Sequence, residues 1–495
     1  MNYTYIHIYL SSPKLGIFEY FNIKNPFLVI INNIIMEFIH QAYQPGETIA
    51  AVATPPGEGG VAIVRISGKN ALNVASKIFS GPIHQYRTHT AHYGKIFNQA
   101  GEHIDDVLLL VMLGKRSYTG ENTVEIHCHG GGLITRRVLE TVLHAGCRAA
   151  RPGEFTFKAF MNGRLDLAQA EAVQELICAK NEHALNAAEN QLQGALSRKI
   201  SNFQTSLTLI AAILEAWVDF PEEGLEFASM EEISDQLTDV CTQMSRLAAT
   251  FHDGKILHDG VSLCLIGCPN VGKSSLMNAL LDKERAIVSH IPGTTRDILE
   301  DHVRLNGLNL RLTDTAGIRD SDECIEQEGI RRSKAAMADA DLILLVFDAS
   351  KPIAEEERRL ITEVPPTKTI VIWNKIDLPH HESPLFDFPF SHIVKISAKE
   401  KTGLDLLRKK IDEVIWERGP PARDEVLITN VRHKEALNRA IGACQTIIDG
   451  LRSGVSPEFL SFDMRQCLSE LGVIIGVNIT EDILSAIFSK FCIGK

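Results

Sequence analysis

Gly267-Cys268-Pro269-Asn270-Val271-Gly272-Lys273-Ser274 has the spacing G-x-x-x-x-G-K-[ST], the pattern of a loop that wraps phosphate oxygens. Such a loop works through backbone N–H groups that converge on the anion at a helix start, here those of Asn270, Val271, Gly272 and the residues after them. Lys273 can then reach the β- and γ-phosphate oxygens, and the Ser274 hydroxyl, with Ser275 beside it, can meet Mg²⁺. The chemistry is that of a nucleoside triphosphate.

Three later elements narrow the nucleotide. In Asp314-Thr315-Ala316-Gly317, Asp314 can hold Mg²⁺ through water and the Gly317 N–H can touch the γ-phosphate. In Asn374-Lys375-Ile376-Asp377, Asp377 can accept from the guanine N1–H and exocyclic amine, a donor pair that adenine lacks. Ser397-Ala398-Lys399 can offer a backbone N–H to the guanine oxygen. Four elements in this order, each at the end of an apolar run, resemble the GTPase fold.

One position departs from the common pattern. Ile318 follows Gly317 where many GTPases carry the Gln that orients the attacking water, and an apolar side chain cannot do that. The segment Ser289-His290-Ile291-Pro292-Gly293-Thr294-Thr295-Arg296-Asp297 offers Thr295 as a Mg²⁺ ligand. Oxygens from Asn270 and from around Ser289, Ile291 and Thr294 can encircle a monovalent cation that neutralises developing charge. Equally, Asn270 can merely cap its loop and the segment can be an ordinary switch.

The elements that must position these groups are legible as patterns. Val261 to Ile266 reads as a buried strand and Ser274 to Leu281 as a helix; Leu308 to Leu312 and Thr369 to Trp373 read as further strands. Before them, Thr48 to Ala53, Gly60 to Ile66, Ala91 to Phe97, Asp106 to Leu113 and Thr123 to Cys128 alternate as strands, and Leu133 to His144 has helical spacing. That predicts an α+β domain. From Asn162 the texture is helical, with Leu165, Ala168, Ala172, Leu176 and Ala179 on one stripe, until a linker at Phe251 to Gly260. Helical texture returns after Gly419-Pro420-Pro421, with stripes Leu460, Met464, Cys467, Leu471 and Ile483, Ile487, Phe491. Neither helical half makes a complete bundle, so the nucleotide module is read as an insertion into one helical domain.

The fold class is therefore multidomain, α/β and α. An extension covers 1–35, the α+β domain 36–160, the first helical part 161–258, a Ras-like P-loop module 259–418, and the second helical part 419–495.

The 495 residues are 45% apolar, enough for several full cores. A net charge of −12 does not advertise a large nucleic-acid surface. Ten scattered cysteines without a C-x-x-C pair point to a reducing cytosol rather than a disulfide framework. No apolar run reaches transmembrane length, so a cytoplasmic protein is expected. Residues 1–35 lack the basic start of a secretory signal and read as an extension, or as translation assigned from too early a start.

From Thr48 to Lys495 the chain resembles the tRNA modification GTPase family MnmE, also called TrmE. Beyond the nucleotide elements, the resemblance rests on Ala53-Thr54-Pro55-Pro56-Gly57, Gly59-Gly60-Val61, Arg65-Ile66-Ser67-Gly68, His129-Gly130-Gly131 and Arg151-Pro152-Gly153-Glu154-Phe155. It rests most specifically on Leu165-Asp166-Leu167-Ala168-Gln169-Ala170-Glu171 and the final Phe491-Cys492-Ile493-Gly494-Lys495. The resemblance implies a homodimer through a folate-binding N-terminal domain, a split helical domain and an inserted GTPase stimulated by K⁺. It implies an FAD-dependent partner protein in a heterotetramer, and an aminomethyl-type group (carboxymethylaminomethyl) placed on C5 of the wobble uridine of certain tRNAs. A tetrahydrofolate, in the 5,10-methylene or 5-formyl form, supplies the carbon.

Matched by motif, Asn270, Ser289, Ile291 and Thr294 fall on the potassium ligands, and Glu326 on the hydrolytic glutamate. Arg65, Glu125, Arg164 and Lys495 fall on folate contacts; Arg164 stands where some members have Lys. Each has a plainer reading. Arg65 can be a solvent-facing strand arginine, Glu326 one of a solvated acidic loop, and Cys492 a packed tail residue; the resemblance favours a hydrolytic Glu326 and an exposed, reactive Cys492. His127-Cys128-His129 can be a metal site, although a folate-pocket wall suits it better without further ligands at zinc spacing. A regulatory GTPase acting in ribosome assembly would share the nucleotide module, but calls for an RNA-binding domain or basic tail that the sequence lacks.

Overall fold

The computed structural model describes residues 46–219, 229–281, 301–305, 308–313, 337, 339–379, 390–416, 419–477 and 479–495. The chain divides into Met1–Glu47 and Thr48–Lys495, and every element below belongs to the second unit.

Strands β1 (Ile49–Val52) and β2 (Gly59–Ser67), helix α1 (Ala71–Ser76), strands β3 (Thr90–Phe97), β4 (His103–Met112) and β5 (Thr123–Gly130), helix α2 (Gly132–His144) and strand β6 (Arg148–Ala149) build the first domain. Its sheet runs β3-β4-β5-β2-β1-β6, antiparallel except for β1 with β6. Alternation decides the two faces. Val64, Ile66, Leu109, Val111, Val124 and Ile126 point inward and are buried with Val138 and Val142 of α2. Arg65, Glu125 and His127 therefore share the other face, with Arg65 and Glu125 directly opposite in register.

Helices α3 (Glu154–Met161), α4 (Leu167–Cys178), α5 (Glu182–Leu192), α6 (Ala195–Asp219), α7 (Met230–Ala249) and α8 (Phe251–Asp259) follow. The expected linker at Phe251 to Gly260 is thus a helix. Ile256 and Leu257 are buried on it, and a Cβ on Gly254 would lie 2.2 Å from the Ile428 carbonyl oxygen. That approach explains why glycine sits mid-helix. Gly254→Ala should lower stability by about 1–3 kcal/mol through overpacking, seen as an earlier denaturation midpoint for the helical domain.

The nucleotide module interrupts the helices. It comprises β7 (Val261–Ile266), α9 (Lys273–Leu281), β8 (Asp301–Leu305), β9 (Leu308–Thr313), β10 (Leu342–Asp348), α10 (Glu355–Glu363), β11 (Thr369–Asn374), β12 (His392–Lys395) and α11 (Leu404–Ile415). The sheet order is β12-β11-β10-β7-β9-β8, parallel except for β8 with β9. Strands β7, β10 and β11 are buried along their whole length, as central parallel strands covered on both faces must be.

Helices α12 (Val431–Arg452), α13 (Pro457–Ile475) and α14 (Glu481–Phe488) complete the chain. Ile200, Leu207 and Leu214 of α6, Leu237 and Met244 of α7, Leu437 and Cys444 of α12, and Met464 and Leu471 of α13 share one core, so the two helical parts are one domain split by the module. The expected stripe on α14 is displaced: Leu484 and Phe488, with Phe491 beyond the helix, are buried, whereas Ile483 is 40% exposed. The face is set by what it meets, namely Leu167 and Ala170 of α4.

Glu171 of α4 staples this domain, accepting from Arg432 Nε at 3.0 Å and Nη2 at 2.6 Å and meeting His433 Nε2 at 2.7 Å. Burial opposes its ionisation, but the charges and hydrogen bonds of His433 and Arg432 win and hold the carboxyl at about 2. Its ion-pairing contribution is complete at neutral pH and is lost as pH falls from 4.5, the ordinary value, towards about 2.

Candidate functional site

The phosphate loop leaves the end of β7 and enters α9. Gly267 has φ 156°, and a Cβ there would meet the Val346 carbonyl oxygen at 2.4 Å. Gly272 has φ 97° and lies so close to Asn374 that a Cβ would sit 2.3 Å from Nδ2. Both positions need glycine, for backbone angle and for space. The Lys273 ammonium rests on the loop's own carbonyls, 2.7 Å from Gly267 O and 3.0 Å from Cys268 O. Burial moves its pKa down. Ser274 and Ser275 are exposed on the first turn of α9, where free N–H groups and the helix dipole favour an anion.

Asn374, at the end of β11, joins two loops: its Nδ2 donates to Val271 O at 2.9 Å, and its Oδ1 accepts from the Ala398 N–H at 3.0 Å. Lys375 donates to Asn270 O at 2.7 Å and pairs with Asp348 at 2.7 Å. Ser397 donates its hydroxyl to Asp377 Oδ1 at 2.7 Å while accepting from the Glu400 N–H at 3.1 Å. The Ser397 hydrogen bond holds the Asp377 carboxyl below the usual carboxylate range. Asp377 and Lys399 are exposed. The loops at the carboxyl ends of β7 and β11 and after β12 therefore converge at one edge, where open α/β sheets bind ligands. Asp348 escaped sequence reasoning; its signal was a carboxylate ending the apolar run of β10.

Ser289, Ile291, Thr294, Thr295, Asp314, Thr315, Ala316, Gly317 and Glu326 lie outside the described residues. Of the proposed metal ligands, Ser274 and Asn270 are described. Asn270 has φ 65°, a left-handed angle that Asn tolerates better than most residues.

A second cluster forms where the C-terminal tail meets the first sheet. Arg65 Nε donates to Glu125 Oε1 at 2.8 Å and its Nη1 to Gly494 O at 3.0 Å. The guanidinium carbon lies 5.6 Å from the Phe155 ring centre and 6.0 Å from that of Tyr118, and Lys495 Nζ is 6.0 Å from Tyr118. Burial, then the Arg65 charge, lowers the Lys495 pKa. The tail is held by backbone: the Gly153 N–H donates to Cys492 O at 3.4 Å and the Phe155 N–H to Lys495 O at 3.2 Å. Gly494, at φ 94°, leaves no room for a Cβ, which would meet Val52 O at 2.3 Å. Cys492 is exposed.

Arg65, Glu125, Lys495 and Cys492 are thus drawn together, across more than four hundred residues of sequence, by the pairing of β2 with β5 and the docking of the tail. Arg164 is exposed beside Gly120, and among the described residues no side-chain hydrogen bond joins it to Arg65, Glu125 or Lys495. Tyr118 was not legible as a site residue, since nothing in its spacing marks it. His127, Cys128 and His129 do not converge: Cys128 is buried with its thiol on the Ala62 carbonyl, while His129 pairs with Asp105 at 2.7 Å. Among the described residues no group of three His, Cys, Asp or Glu is placed to hold a metal ion. Nor is any described helix long and apolar enough to cross a membrane.

Two family models match: "GTP-binding protein TrmE N-terminus" over residues 48–164 and "MnmE helical domain" over 167–492. The tRNA modification GTPase MnmE of Protochlamydia amoebophila is 70% identical over 460 residues, 93% of this chain and 100% of that one. Those of Moorella thermoacetica and Clostridioides difficile are 46% and 41% identical, each over 91% of this chain and 99% of theirs.

Proposed function

The chain belongs to the MnmE family of tRNA modification GTPases, and on that footing we propose that it couples GTP hydrolysis to the placing of an aminomethyl-type group, carboxymethylaminomethyl, on C5 of the wobble uridine of certain tRNAs. Membership brings GTP with Mg²⁺, and GTP hydrolysis in tRNA modification. In our reading a tetrahydrofolate supplies the carbon, an FAD-dependent partner protein supplies redox chemistry, and a homodimer is the working unit in the cytoplasm. A chain of net charge −12 leaves much of the tRNA binding to that partner.

One observation carries the reading: the tail bearing Cys492 and Lys495 is seated on the Arg65–Glu125 pair. The donor set fits a folate. Glu125 can accept from a pterin amine, Arg65, Lys495 and Arg164 can attract the glutamate carboxylates, and the Tyr118 and Phe155 rings suit a flat ring. An exposed thiol beside a one-carbon donor is a chemical arrangement with an evident use. For the dimer, the support is the bare end of the same sheet face, where Tyr93 and Leu108, opposite in register, are 70% and 50% exposed. Arg65→Ala should weaken tetrahydrofolate binding by about 1.5–3 kcal/mol, the range for a charged hydrogen bond; calorimetry with unchanged affinity in Arg65→Ala, Glu125→Ala and Arg164→Ala alike would reject the pocket.

Potassium belongs to the same proposal, with Asn270, Ser289, Ile291 and Thr294 as ligands and Glu326 aligning the water that Ile318 cannot. Hydrolysis should run about 10²-fold or more faster in K⁺ than in Na⁺, the scale of one well-placed charge-stabilising group in the transition state. Asn270→Ala should erase that difference with modest loss of nucleotide affinity. Equal rates in the two salts at matched ionic strength would end the cation model.

A further inference from the structure

The loop between β4 and β5 carries Tyr118 and closes on itself. The Gly114 N–H donates to Asn122 Oδ1 at 3.0 Å, the Ser117 N–H to Gly114 O at 3.0 Å, and the Ser117 hydroxyl to Glu121 O. Behind it, the Thr119 hydroxyl meets Ser67 Oγ of β2 at 2.7 Å and Thr123 Oγ1 of β5 at 3.3 Å, and all three residues are buried. Asn162, just past α3, donates its Nδ2 to Thr119 O at 2.8 Å. The loop is clamped to the sheet and to α3, so whatever it displays is held in place.

What it displays is positive charge. Lys115 and Arg116 are exposed on a single 3₁₀ turn of the loop. On its other arm the Arg164 stem crosses Gly120, with Cγ 3.3 Å from where a Cβ would stand, and Arg164 is exposed. Among the described residues none of these three cations makes an ion pair or a side-chain hydrogen bond. The loop's one carboxylate, Glu121, is paired with the buried Lys158 at 2.7 Å. Unpaired cations thus gather on one loop of a chain whose net charge is −12.

This basic rim starts where the proposed pocket ends. Arg65 and Lys495 each lie 6.0 Å from the Tyr118 ring centre, and Arg116 and Gly120 flank Tyr118 two positions away on either side. A folate seated on Tyr118, with its glutamate towards Arg164, brings its γ-carboxyl to the rim. Each γ-linked glutamate added there carries one more carboxylate towards Lys115 and Arg116. We propose that the site takes tetrahydrofolates bearing a γ-linked oligoglutamate tail in preference to the monoglutamate, and that Lys115 and Arg116, with Arg164, hold that tail. The inference rests on the folate reading above. The other polyanion at hand, tRNA, fits less well, because tight hold on a nucleic-acid backbone takes about 6–10 phosphate contacts and the rim is far smaller than that.

The test is calorimetry on the full-length protein with 5-formyltetrahydrofolate as its monoglutamate and as its γ-linked pentaglutamate. The pentaglutamate should bind about five- to tenfold more tightly, the product of a few exposed ion pairs each worth about two- to threefold. Added salt should shrink that ratio. It should fall to about one in Lys115→Ala/Arg116→Ala, where the tail meets no cation on the 3₁₀ turn, and persist in Lys115→Arg/Arg116→Lys, which keeps both charges. Both side chains are exposed, so neither double variant removes a packed group. Equal affinity of the wild type for the two ligands would overturn the tail site and leave the pocket standing, whereas failure of both to bind would remove the folate reading and the tail site with it. Filter binding of unmodified tRNA at the same salt supplies the last arm. A Lys115→Ala/Arg116→Ala protein that loses tRNA affinity while keeping the full ratio would assign the rim to RNA and overturn the proposal.

Discussion

Asp377→Asn should cut GTP affinity by about 10⁴-fold and turn the preference towards xanthine nucleotides, because a site built to pair polar groups rejects a base that leaves them unpaired. The carboxylate is acceptor-only and can serve both guanine donors; an amide presents one acceptor and two donors. The surroundings prepare it. The Ser397 hydroxyl donates to Asp377 at 2.7 Å and helps keep it ionised, and the Ala398 N–H donates to Asn374 Oδ1 at 3.0 Å, which ties the two base loops together. Xanthine has a second carbonyl where guanine carries its amine, so the Asn amide can donate to it. Competition binding of the two triphosphates to the variant reads the switch directly, and unchanged GTP affinity would remove Asp377 from the base site.

Cys492→Ser should lower tRNA modification by about 10³-fold or more, as loss of a group that acts on the reacting carbon does, with GTP hydrolysis nearly intact. The separation follows from distance along the fold. Cys492 sits on a tail docked at Gly153 and Arg65, while the phosphate loop lies at the end of β7 in another domain. Serine keeps the size and loses the thiolate. The counterpart is Glu326→Ala, at a position outside the described residues. It should bind GTP, fail to hydrolyse it, and lose modification because the cycle stalls. Both assays on both variants, with tetrahydrofolate and partner supplied, give the cross pattern; wild-type modification by Cys492→Ser would return this thiol to the class of packed tail residues.

Strands β1 to β5, β7, β9 and β11 and helices α2 and α9 were legible because their patterns answer to local physics. Val261 to Ile266 is an apolar run broken only by Ser262, and it is a strand covered on both faces. The alternation of β2 and β5 put Arg65 and Glu125 on one face. What remained hidden depended on tertiary contact. Phe251 to Gly260 reads as a linker because Gly254 weakens a helix, yet the close pass of Ile428 demands that glycine. On α14, Ile483 and Leu484 are equally apolar, and only the position of α4 decides which is covered. Tyr118 and Asp348 entered their sites from loops and strand ends that no short motif marks. The joining of Cys492 and Lys495 to Arg65 was reachable by resemblance alone, since no periodicity connects a tail to a strand more than four hundred residues earlier.

The central claim is that GTP turnover and a folate carbon meet in one reaction on tRNA. Reconstitution with the partner protein, unmodified tRNA and tetrahydrofolate labelled with ¹³C in its one-carbon unit tests it most directly. Mass analysis of the wobble uridine should find the label in the carbon bonded to C5 when GTP is hydrolysed, and no modification when GDP replaces GTP. Modified uridine without the label, or label incorporated equally well with GDP, would contradict the account.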